Sequence, residues 1–329
     1  MTKMMKAAYI QKAGAANTII FGDVPKPGIG PTKVLVKVKA VAVNHADTHI
    51  RAGHSTQETH FPFIIGRDMC GVVEAVGEEV TKFQVGQRVW SNNQGINGKQ
   101  GTFAEYVSID EWFLYPLPQN VDDIQAVATL HGASTACHGM IRFAKLREGE
   151  ILLVHGASGS IGTALVQLAH ARGAKVIALT SSPEKMAWCK EQGADVVLNY
   201  TKEDSVKTIL KSLPNGVDVH WTTSQIPDLE VALATVSKRG RLILMTGYFS
   251  HPTLPVGPFY SKECTLLGFT LENASTEDLS GYSTIINRCL SEGILKAKIA
   301  QVLPLSEAAK AHELLESNAH LWGRIVLTV

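Results

Sequence analysis

The chain has 329 residues, of which 45% are hydrophobic and 19% are charged, and its formal net charge is +1. This composition is that of a globular protein of about two domains, and it excludes a disordered or collagen-like chain. The neutral balance gives no electrostatic reason to expect a nucleic acid as a partner. No apolar run approaches the roughly 18 residues of a membrane span, so we expect no membrane partner.

The five cysteines are widely spaced and form no C-x-x-C pair. An odd number of scattered cysteines argues against a disulfide framework and against a cysteine-only zinc site. The residues after Met1 lack the apolar core of a signal peptide. We therefore predict a cytoplasmic protein.

The first part of the chain, to about residue 120, has the pattern of β structure. Residues 34–41 alternate apolar and basic side chains, as a half-exposed strand does, and residues 70–76 form a second run. Several glycines interrupt the stretch that follows. Short strands with frequent glycine are typical of a barrel-like β domain.

From residue 122 the pattern changes to that of an α/β protein. Residues 122–143 are long enough for a helix, with Asp122 as its N-cap. Apolar strands then alternate with helical segments at 151–154, 175–179, 196–198, 217–219 and 242–245. This alternation predicts a doubly wound parallel sheet. Residues 266–271 are a candidate edge strand and 324–329 a terminal strand.

A glycine-rich turn follows the strand 151–154 directly. It has the sequence GASGSIG over residues 156–162 and begins an amphipathic helix, which is the context of a dinucleotide-binding motif. Gly159 would let the backbone approach a pyrophosphate, and Gly162 would let the helix pack closely on the strand. The N–H groups of the helix N-terminus favour phosphate there. Ala157 stands where this motif usually has its first glycine.

The end of the second strand indicates which dinucleotide binds. Enzymes that use NAD usually place a carboxylate there to bind the ribose 2′-hydroxyl, but residues 179–183 read LTSSP. Ser182 is a predicted N-cap with Pro183 as the first helical residue, and Glu184 is then a first-turn acid. Ser181 and Lys185 can hold a 2′-phosphate, although Lys185 also fits a solvated surface lysine. The pattern favours NADPH over NADH.

With these residues in view, the chain resembles the medium-chain dehydrogenase/reductase superfamily, and within it the zinc-free quinone oxidoreductase (zeta-crystallin-like) branch. The matching segments are 41–47, 62–68, 70–77, 85–90, 101–107, 154–162, 238–241 and 311–316. The resemblance implies a GroES-like β-barrel domain formed by residues 1–126 and 271–329. A Rossmann domain, residues 127–270, would be inserted in it, with the active site in the cleft between them.

The resemblance also bears on metal binding. The positions that line up with the ligands of zinc-dependent relatives hold Asn44, Arg67 and His131. Asn44 is a poor zinc ligand, and the permanently cationic Arg67 cannot be one. Residues 91–101 contain no cysteine, so the four-cysteine structural zinc lobe is also absent. We predict no bound metal. The alternative, a zinc-dependent alcohol dehydrogenase, rests on a group of histidines: His45, His49, His54 and His60.

Without a metal, hydride transfer from NADPH to a quinone or an α,β-unsaturated carbonyl is the reaction that we predict, because such acceptors delocalise the added charge. Asn44 would donate a hydrogen bond to the acceptor or to the nicotinamide ribose. Asp47 would orient Asn44 or pair with Arg67, or else be an ordinary helix-start acid. His54 stands where many relatives have tyrosine. It is either a proton donor or an exposed loop residue.

By resemblance, Tyr200 would lie near the adenosine 2′-phosphate, although it also fits a packing residue, and Thr135, Gly247 and Tyr248 would approach the nicotinamide. The full predicted cofactor set is Thr135, Ser158, Gly159, Ile161, Gly162, Ser181, Lys185, Tyr200, Gly247 and Tyr248. One departure concerns the fourth strand, which relatives often continue with an Asp-x-x-Gly-Gly turn. Here residues 220–224 read HWTTS.

An alternative from another class is an NADPH-binding redox sensor or structural protein with little turnover. We also predict a homodimer, because an apolar edge strand at 266–271 needs covering and pairing with its symmetry mate would cover it.

Overall fold

The computed structural model describes residues 3–54, 59–317 and 321–329. The chain forms two compact units. The split unit consists of Met1–His131 and Ser275–Val329, and the central unit consists of Gly132–Ala274. The domain limits predicted from the sequence remain a prediction.

The strands, in chain order, are β1 (Met4–Ile10), β2 (Ile20–Pro25), β3 (Lys33–Ala42), β4 (Phe63–Ile64), β5 (Asp68–Val76), β6 (Arg88–Ser91), β7 (Tyr106–Asp110), β8 (Tyr115–Pro116), β9 (Ile151–His155), β10 (Lys175–Thr180), β11 (Val196–Asn199), β12 (Val217–Thr222), β13 (Val236–Leu244), β14 (Thr265–Gly268), β15 (Ile299–Pro304) and β16 (Arg324–Thr328).

The α-helices are α1 (His45–Arg51), α2 (Asp123–His138), α3 (Ser160–Ala171), α4 (Pro183–Glu191), α5 (Ser205–Ser212), α6 (Leu229–Thr235), α7 (Val256–Ser261), α8 (Thr276–Ser291) and α9 (Ala308–Glu316). Among the described residues, no helix is long and apolar enough to cross a membrane.

The central unit contains a six-stranded parallel sheet in the order β11-β10-β9-β12-β13-β14. Counted from β9, this order is 3-2-1-4-5-6, the arrangement of dinucleotide-binding sheets. The strands are apolar because helices cover the sheet, and Leu152, Leu153 and Val154 are completely buried. The predicted doubly wound α/β sheet is confirmed.

The split unit contains two sheets. The smaller has the order β2-β1-β4, and the larger has the order β15-β16-β3-β5-β6-β8, with β7 also pairing with β3. The predicted strands 34–41 and 70–76 lie within β3 and β5. β3 has β5 on one side and β16 on the other, and it pairs antiparallel with each of them. The last strand of the chain therefore lies beside residues 40–42.

Capping residues define several helix limits as predicted. The Asp122 carboxylate accepts a hydrogen bond from the Gln125 N–H at 2.9 Å, and the Ser182 hydroxyl accepts one from the Lys185 N–H at 3.4 Å. The predicted helix 122–143 is helical throughout, but its last turn, Gly139–Phe143, is a π-helix. The predicted edge strand 266–271 is too long, because Thr270 caps a 3-10 turn that begins at Leu271.

Candidate active site

Asn44 stands between β3 and α1 in the split unit, and it is 1% exposed. Its Oδ1 accepts a hydrogen bond from Arg324 Nη2 at 2.6 Å. Its Nδ2 donates to Asp68 Oδ2 at 2.9 Å and to the Ala42 carbonyl at 3.4 Å. These bonds form because β5 and β16 flank β3, and Asp68 and Arg324 are the first residues of those strands. The predicted hydrogen bond from Asn44 to an acceptor stays a prediction, and one of the existing bonds must open to make it.

Two buried carboxylates accompany Asn44. Asp47 Oδ2 accepts a hydrogen bond from the Asn44 backbone N–H at 2.8 Å, so Asp47 orients Asn44 through the backbone. Burial, and then the charge of Asp68, raise the pKa of Asp47 to about 7. Burial raises the pKa of Asp68 to about 6. Both groups therefore favour the protonated form far more than an exposed aspartate does.

Cationic and imidazole groups complete the cluster. The Arg67 guanidinium is buried and donates a hydrogen bond to Asn93 Oδ1, and Arg324 Nε donates to the Ala128 carbonyl at 3.1 Å. Burial, with the charges of Arg67, Arg324 and His45, lowers the pKa of His131 well below its usual range. His131 is therefore a neutral imidazole at physiological pH.

The donor set of this cluster does not fit zinc. Arg67 carries a permanent positive charge. The charges of Arg67 and Arg324 both lower the pKa of His131, so both are felt at its ring. These charges oppose a divalent cation at the same place. Within residues 3–54, 59–317 and 321–329, no three His, Cys, Asp or Glu side chains are grouped to hold a metal ion. The zinc-free prediction thus has support from the chemistry of the residues present.

His54 is exposed, unlike the buried residues described above. Its backbone N–H donates to the His49 carbonyl at 2.9 Å, and the two rings lie 6.0 Å apart. Residues 55–58 follow it directly and lie outside the described residues. Its role as a proton donor stays a prediction.

The glycine turn in the central unit connects β9 to α3. Gly156 has a φ of +83°, and a Cβ there would lie 2.4 Å from Thr223 Oγ1. A Cβ on Gly162 would lie 2.2 Å from the Gly156 carbonyl oxygen, so α3 packs closely on the turn. At Gly159 the nearest atom to such a Cβ is 3.4 Å away. The tight turn is thus made by Gly156, while Ala157 is completely buried.

The predicted 2′-phosphate residues Ser181, Lys185 and Tyr200 lie beyond the carboxyl ends of β10 and β11. Ser158 and Thr180 share a hydrogen bond of 3.0 Å that ties the glycine turn to β10. Lys185 Nζ donates to Ser181 Oγ at 3.5 Å. The Tyr200 ring is 45% exposed and meets the His155 ring edge-on at 5.0 Å. Carboxyl ends of parallel strands are where α/β sheets bind ligands.

The remaining predicted cofactor residues are also in the central unit. Thr135 is buried in α2, and its Oγ1 has no hydrogen-bond partner among the described residues. Gly247 follows β13 with a φ of +75°, and the Tyr248 ring is exposed and packs edge-on against Phe249 at 4.9 Å. Ile161 is half-buried at the start of α3. The orphaned Thr135 hydroxyl fits a dinucleotide, because it leaves a buried hydrogen-bonding group available to a ligand.

The segment that directly follows β12 has a local structural role. Thr223 Oγ1 donates to the carbonyls of His155 and Gly156 at 3.0 and 3.1 Å. Thr223 thereby fixes the start of the glycine turn.

Sequence reasoning did not single out Asp68 and Arg324 as site residues. One available signal is a charged residue at the start of an otherwise apolar strand. Nothing in the sequence, however, links Arg324 to Asn44, because these residues are 280 positions apart and meet only through the pairing of β16 with β3.

The chain matches two family descriptions. "Alcohol dehydrogenase GroES-like domain" matches residues 30–119, and "Zinc-binding dehydrogenase" matches residues 160–287. Together with the six-stranded parallel sheet, these matches confirm the predicted combination of a GroES-like domain and a Rossmann-type sheet.

Two relatives align with almost the whole chain. A quinone oxidoreductase of Rattus norvegicus is 30% identical over 329 residues, which cover 99% of this chain and 98% of the relative. A chloroplastic NADPH-dependent alkenal/one oxidoreductase of Arabidopsis thaliana is 28% identical and is covered over 80% of its length, against 99% of this chain.

Two solved structures are similar over nearly their full lengths. A structure named as an NAD-dependent alcohol dehydrogenase is 31% identical with a TM-score of 0.90, and 99% of this chain and 100% of that chain are covered. A mycobacterial protein complexed with NADPH is 26% identical with a TM-score of 0.84 and the same coverage.

Proposed function

We propose, because the chain belongs to the quinone oxidoreductase branch of the medium-chain dehydrogenase/reductase superfamily, that it transfers hydride from NADPH to a quinone or an α,β-unsaturated carbonyl. The observation that carries this proposal is the buried Arg67, which stands where zinc-dependent relatives have a ligand. A site without a Lewis acid suits acceptors that delocalise the added charge themselves. The names of the rat and Arabidopsis relatives support both acceptor classes.

In this proposal, residues of the split unit position and stabilise the acceptor. The positive charges of Arg67 and Arg324 favour the negative charge that develops on the acceptor oxygen, and this stabilisation is fixed in place before the reaction. Asn44 positions the acceptor or the nicotinamide ribose, and Asp47 holds Asn44 through its backbone N–H. The contribution of these residues is therefore positioning and electrostatic stabilisation.

The central unit would hold NADPH, which supplies the hydride when it is bound. Gly159, Ser158 and the N-terminus of α3 would bind the pyrophosphate. The contact between Ser181 and Lys185, and the lack of a carboxylate in residues 179–183, support a 2′-phosphate at the end of β10. The NADPH complex of the mycobacterial structure supports the same choice, whereas the name of the alcohol dehydrogenase structure points to NAD. Thr135, Gly247 and Tyr248 would contact the nicotinamide side.

Steady-state kinetics with a small quinone test the cofactor preference. We expect a higher kcat/KM with NADPH than with NADH. Lys185→Ala should lower kcat/KM for NADPH roughly ten-fold and leave that for NADH unchanged, because a charge-assisted contact to phosphate is lost. Lys175→Ala is the matched control, since Lys175 is exposed at the opposite end of β10. A preference for NADH in the unaltered protein would overturn the assignment.

The same mixture separates the wider alternatives. Oxidation of NADPH well above background supports the enzyme, whereas tight NADPH binding without oxidation supports a sensor or structural protein. Stoichiometric zinc in tag-free protein, with activity lost on chelation, would support a zinc-dependent alcohol dehydrogenase.

We also propose a cytoplasmic homodimer with no nucleic-acid or membrane partner. All five cysteines are free thiols, which supports a reducing compartment. β14 is an edge strand with Leu266 exposed, which supports pairing with a second copy. Composition alone is the basis for expecting no nucleic acid or membrane.

A further inference from the structure

Two carboxyl groups are buried beside each other in the split unit with part of their hydrogen-bonding capacity unused. Asp47 is 1% exposed and Asp68 is completely buried. Asn44 binds one oxygen of each, through its backbone N–H to Asp47 Oδ2 and through its amide to Asp68 Oδ2. The Oδ1 atoms of both have no hydrogen-bond partner among the described residues. We call Asp47 and Asp68 the carboxyl pair.

This geometry disfavours full ionisation of the carboxyl pair. A buried carboxylate needs donors for its oxygens, and here two oxygens have none. The groups that act on Asp47 are Asp68 and Arg67 at the start of β5, Asn44 before α1, and Arg324 of β16. Asp68 opposes a charge on Asp47, whereas the two arginines favour it. Burial is the largest cause, and together with Asp68 it raises the pKa of Asp47 to about 7 against the two arginines and the Asn44 N–H. We therefore assign one proton to the carboxyl pair as a whole.

We propose that the carboxyl pair, held by Asn44 with both Oδ1 atoms unpartnered, shares one stored proton and that this proton completes the reduction of the acceptor. The inference rests on the proposed function. Hydride adds to the quinone or to the β-carbon of the enone, and the displaced π electrons move to the carbonyl oxygen. The carboxyl O–H bond then breaks. Because both carboxyl groups are buried, a water molecule accepts this proton and donates one of its own protons to that oxygen, where the new O–H bond forms. The electron pair stays on the carboxylate beside Arg67 and Arg324, and water returns the proton.

The carboxyl pair explains two features that the rest of the site does not. The unpartnered Oδ1 atoms are the positions at which a proton binds without disturbing the bonds to Asn44. Arg67 and Arg324 stabilise the pair after it has lost the proton, so the charge produced by the transfer is offset within the site. An exposed residue such as His54 is then not required as the acid.

Infrared titration of the protein without substrate or cofactor tests proton storage directly. Between pH 5 and 9 we expect a protonated carboxyl band that disappears near pH 7 in the unaltered protein. The band should be lost or shifted in both Asp47→Asn and Asp68→Asn. It should persist in Asp23→Asn, which makes the same chemical change at an exposed carboxylate paired with Lys6. An unaltered protein with no carboxyl titrating near neutral pH overturns the proposal, and this outcome needs no variant to fold.

The pH profile of turnover tests delivery of the proton. With an enone as acceptor, kcat should fall as the pH rises above about 7, because the acid form is lost. Asp47→Asn should lower kcat by roughly 100-fold or more and remove this pH dependence, while Asp23→Asn keeps it. If His54→Phe removes this pH dependence instead, the proton delivered to the acceptor is not the one stored on the carboxyl pair. If no quinone or enone is reduced at any pH, the proposed function fails, while the infrared result still decides whether the proton is stored.

Discussion

His312 is a polar residue that is buried in the core of the split unit without hydrogen bonds to its ring. The side chain lies in α9 and is completely buried, and neither ring nitrogen has a hydrogen-bond partner among the described residues. Its ring meets Phe103 edge-on at 6.1 Å. Burial, and then the charge of Arg51, lower the pKa of His312 to about 3. The imidazole is therefore neutral in the folded protein. Its two buried nitrogens have no hydrogen-bond partner among the described residues, which destabilises the folded state.

Replacing His312 with leucine should make the protein more resistant to acid. The folded-state pKa of about 3 is below the unfolded value of 6.5, so between these values the unfolded state binds the extra proton and stability falls as the pH falls. We expect the free energy of unfolding of His312→Leu, relative to the unaltered protein, to increase by about 2 kcal/mol from pH 7 to pH 5.

Urea denaturation at the two pH values measures this difference. The control is His251→Leu, since His251 is exposed and its replacement should not change the pH dependence. An equal effect of His312→Leu at both pH values would show that His312 binds protons equally in the folded and unfolded states.

At the scale of single elements, the unit β9–turn–α3 could be predicted from the sequence because its signals are local. The apolar strand, the glycines and the one-sided helix are adjacent in the chain, and the structure places β9 at Ile151–His155 and α3 at Ser160–Ala171. The partner of the turn could not be predicted, because Thr223 belongs to the segment after β12. The end of β14 was also not predicted. The apolar run continues to Leu271, but Thr270 caps a 3-10 turn there and the strand ends at Gly268.

Two glycines of the turn should respond differently to alanine. In Gly162→Ala the new Cβ would lie 2.2 Å from a backbone oxygen, so α3 must shift, and we expect a loss of about 1–3 kcal/mol in the free energy of unfolding. In Gly159→Ala the nearest atom is at 3.4 Å, and the residue has an ordinary φ of −75°, so the fold should be retained. NADPH binding should nevertheless weaken, because in the proposed binding mode the Cβ would lie where the pyrophosphate approaches.

Thermal unfolding and NADPH titration of both variants check this contrast. Each variant is the control for the other, since the change is the same and the positions are three residues apart. Normal NADPH affinity in Gly159→Ala would mean that the pyrophosphate lies elsewhere.

At the scale of the whole molecule, sequence patterns indicated which segments are strands but not how distant segments pair. The central sheet could be anticipated because successive strand–helix units follow a common handedness and order. The split unit depends on contacts between its first and last segments, including the bond from Arg324 to Asn44. Asn44, Asp47 and Arg67 were recognisable as candidates from their local sequence, whereas the network that raises the pKa of Asp47 was not.

The number of chains that associate in solution is also a property of the whole molecule. We expect a dimer of twice 35.5 kDa by sedimentation, formed through β14. Leu266 is 37% exposed on this strand, and Leu266→Lys should shift the equilibrium to monomer because a charged edge resists pairing. Val85→Lys, at an exposed apolar residue of the split unit, is the control and should remain dimeric. A monomer in the unaltered protein would refute the dimer.

The pairing of β16 with β3 also has a consequence for biosynthesis. When the ribosome has made residues 1–274, every strand of the central sheet is present, but residues 40–42 still lack the partner that comes with β16. At that stage the edge of β3 is open at residues 40–42, and such an unpaired edge is a place where nascent chains can associate wrongly. A chain that stalls before residue 324 would contain the complete dinucleotide-binding sheet, yet Asn44 would lack its contact with Arg324. Such a product would have the sheet proposed to bind the cofactor but would lack the hydrogen-bond network of the proposed acceptor site.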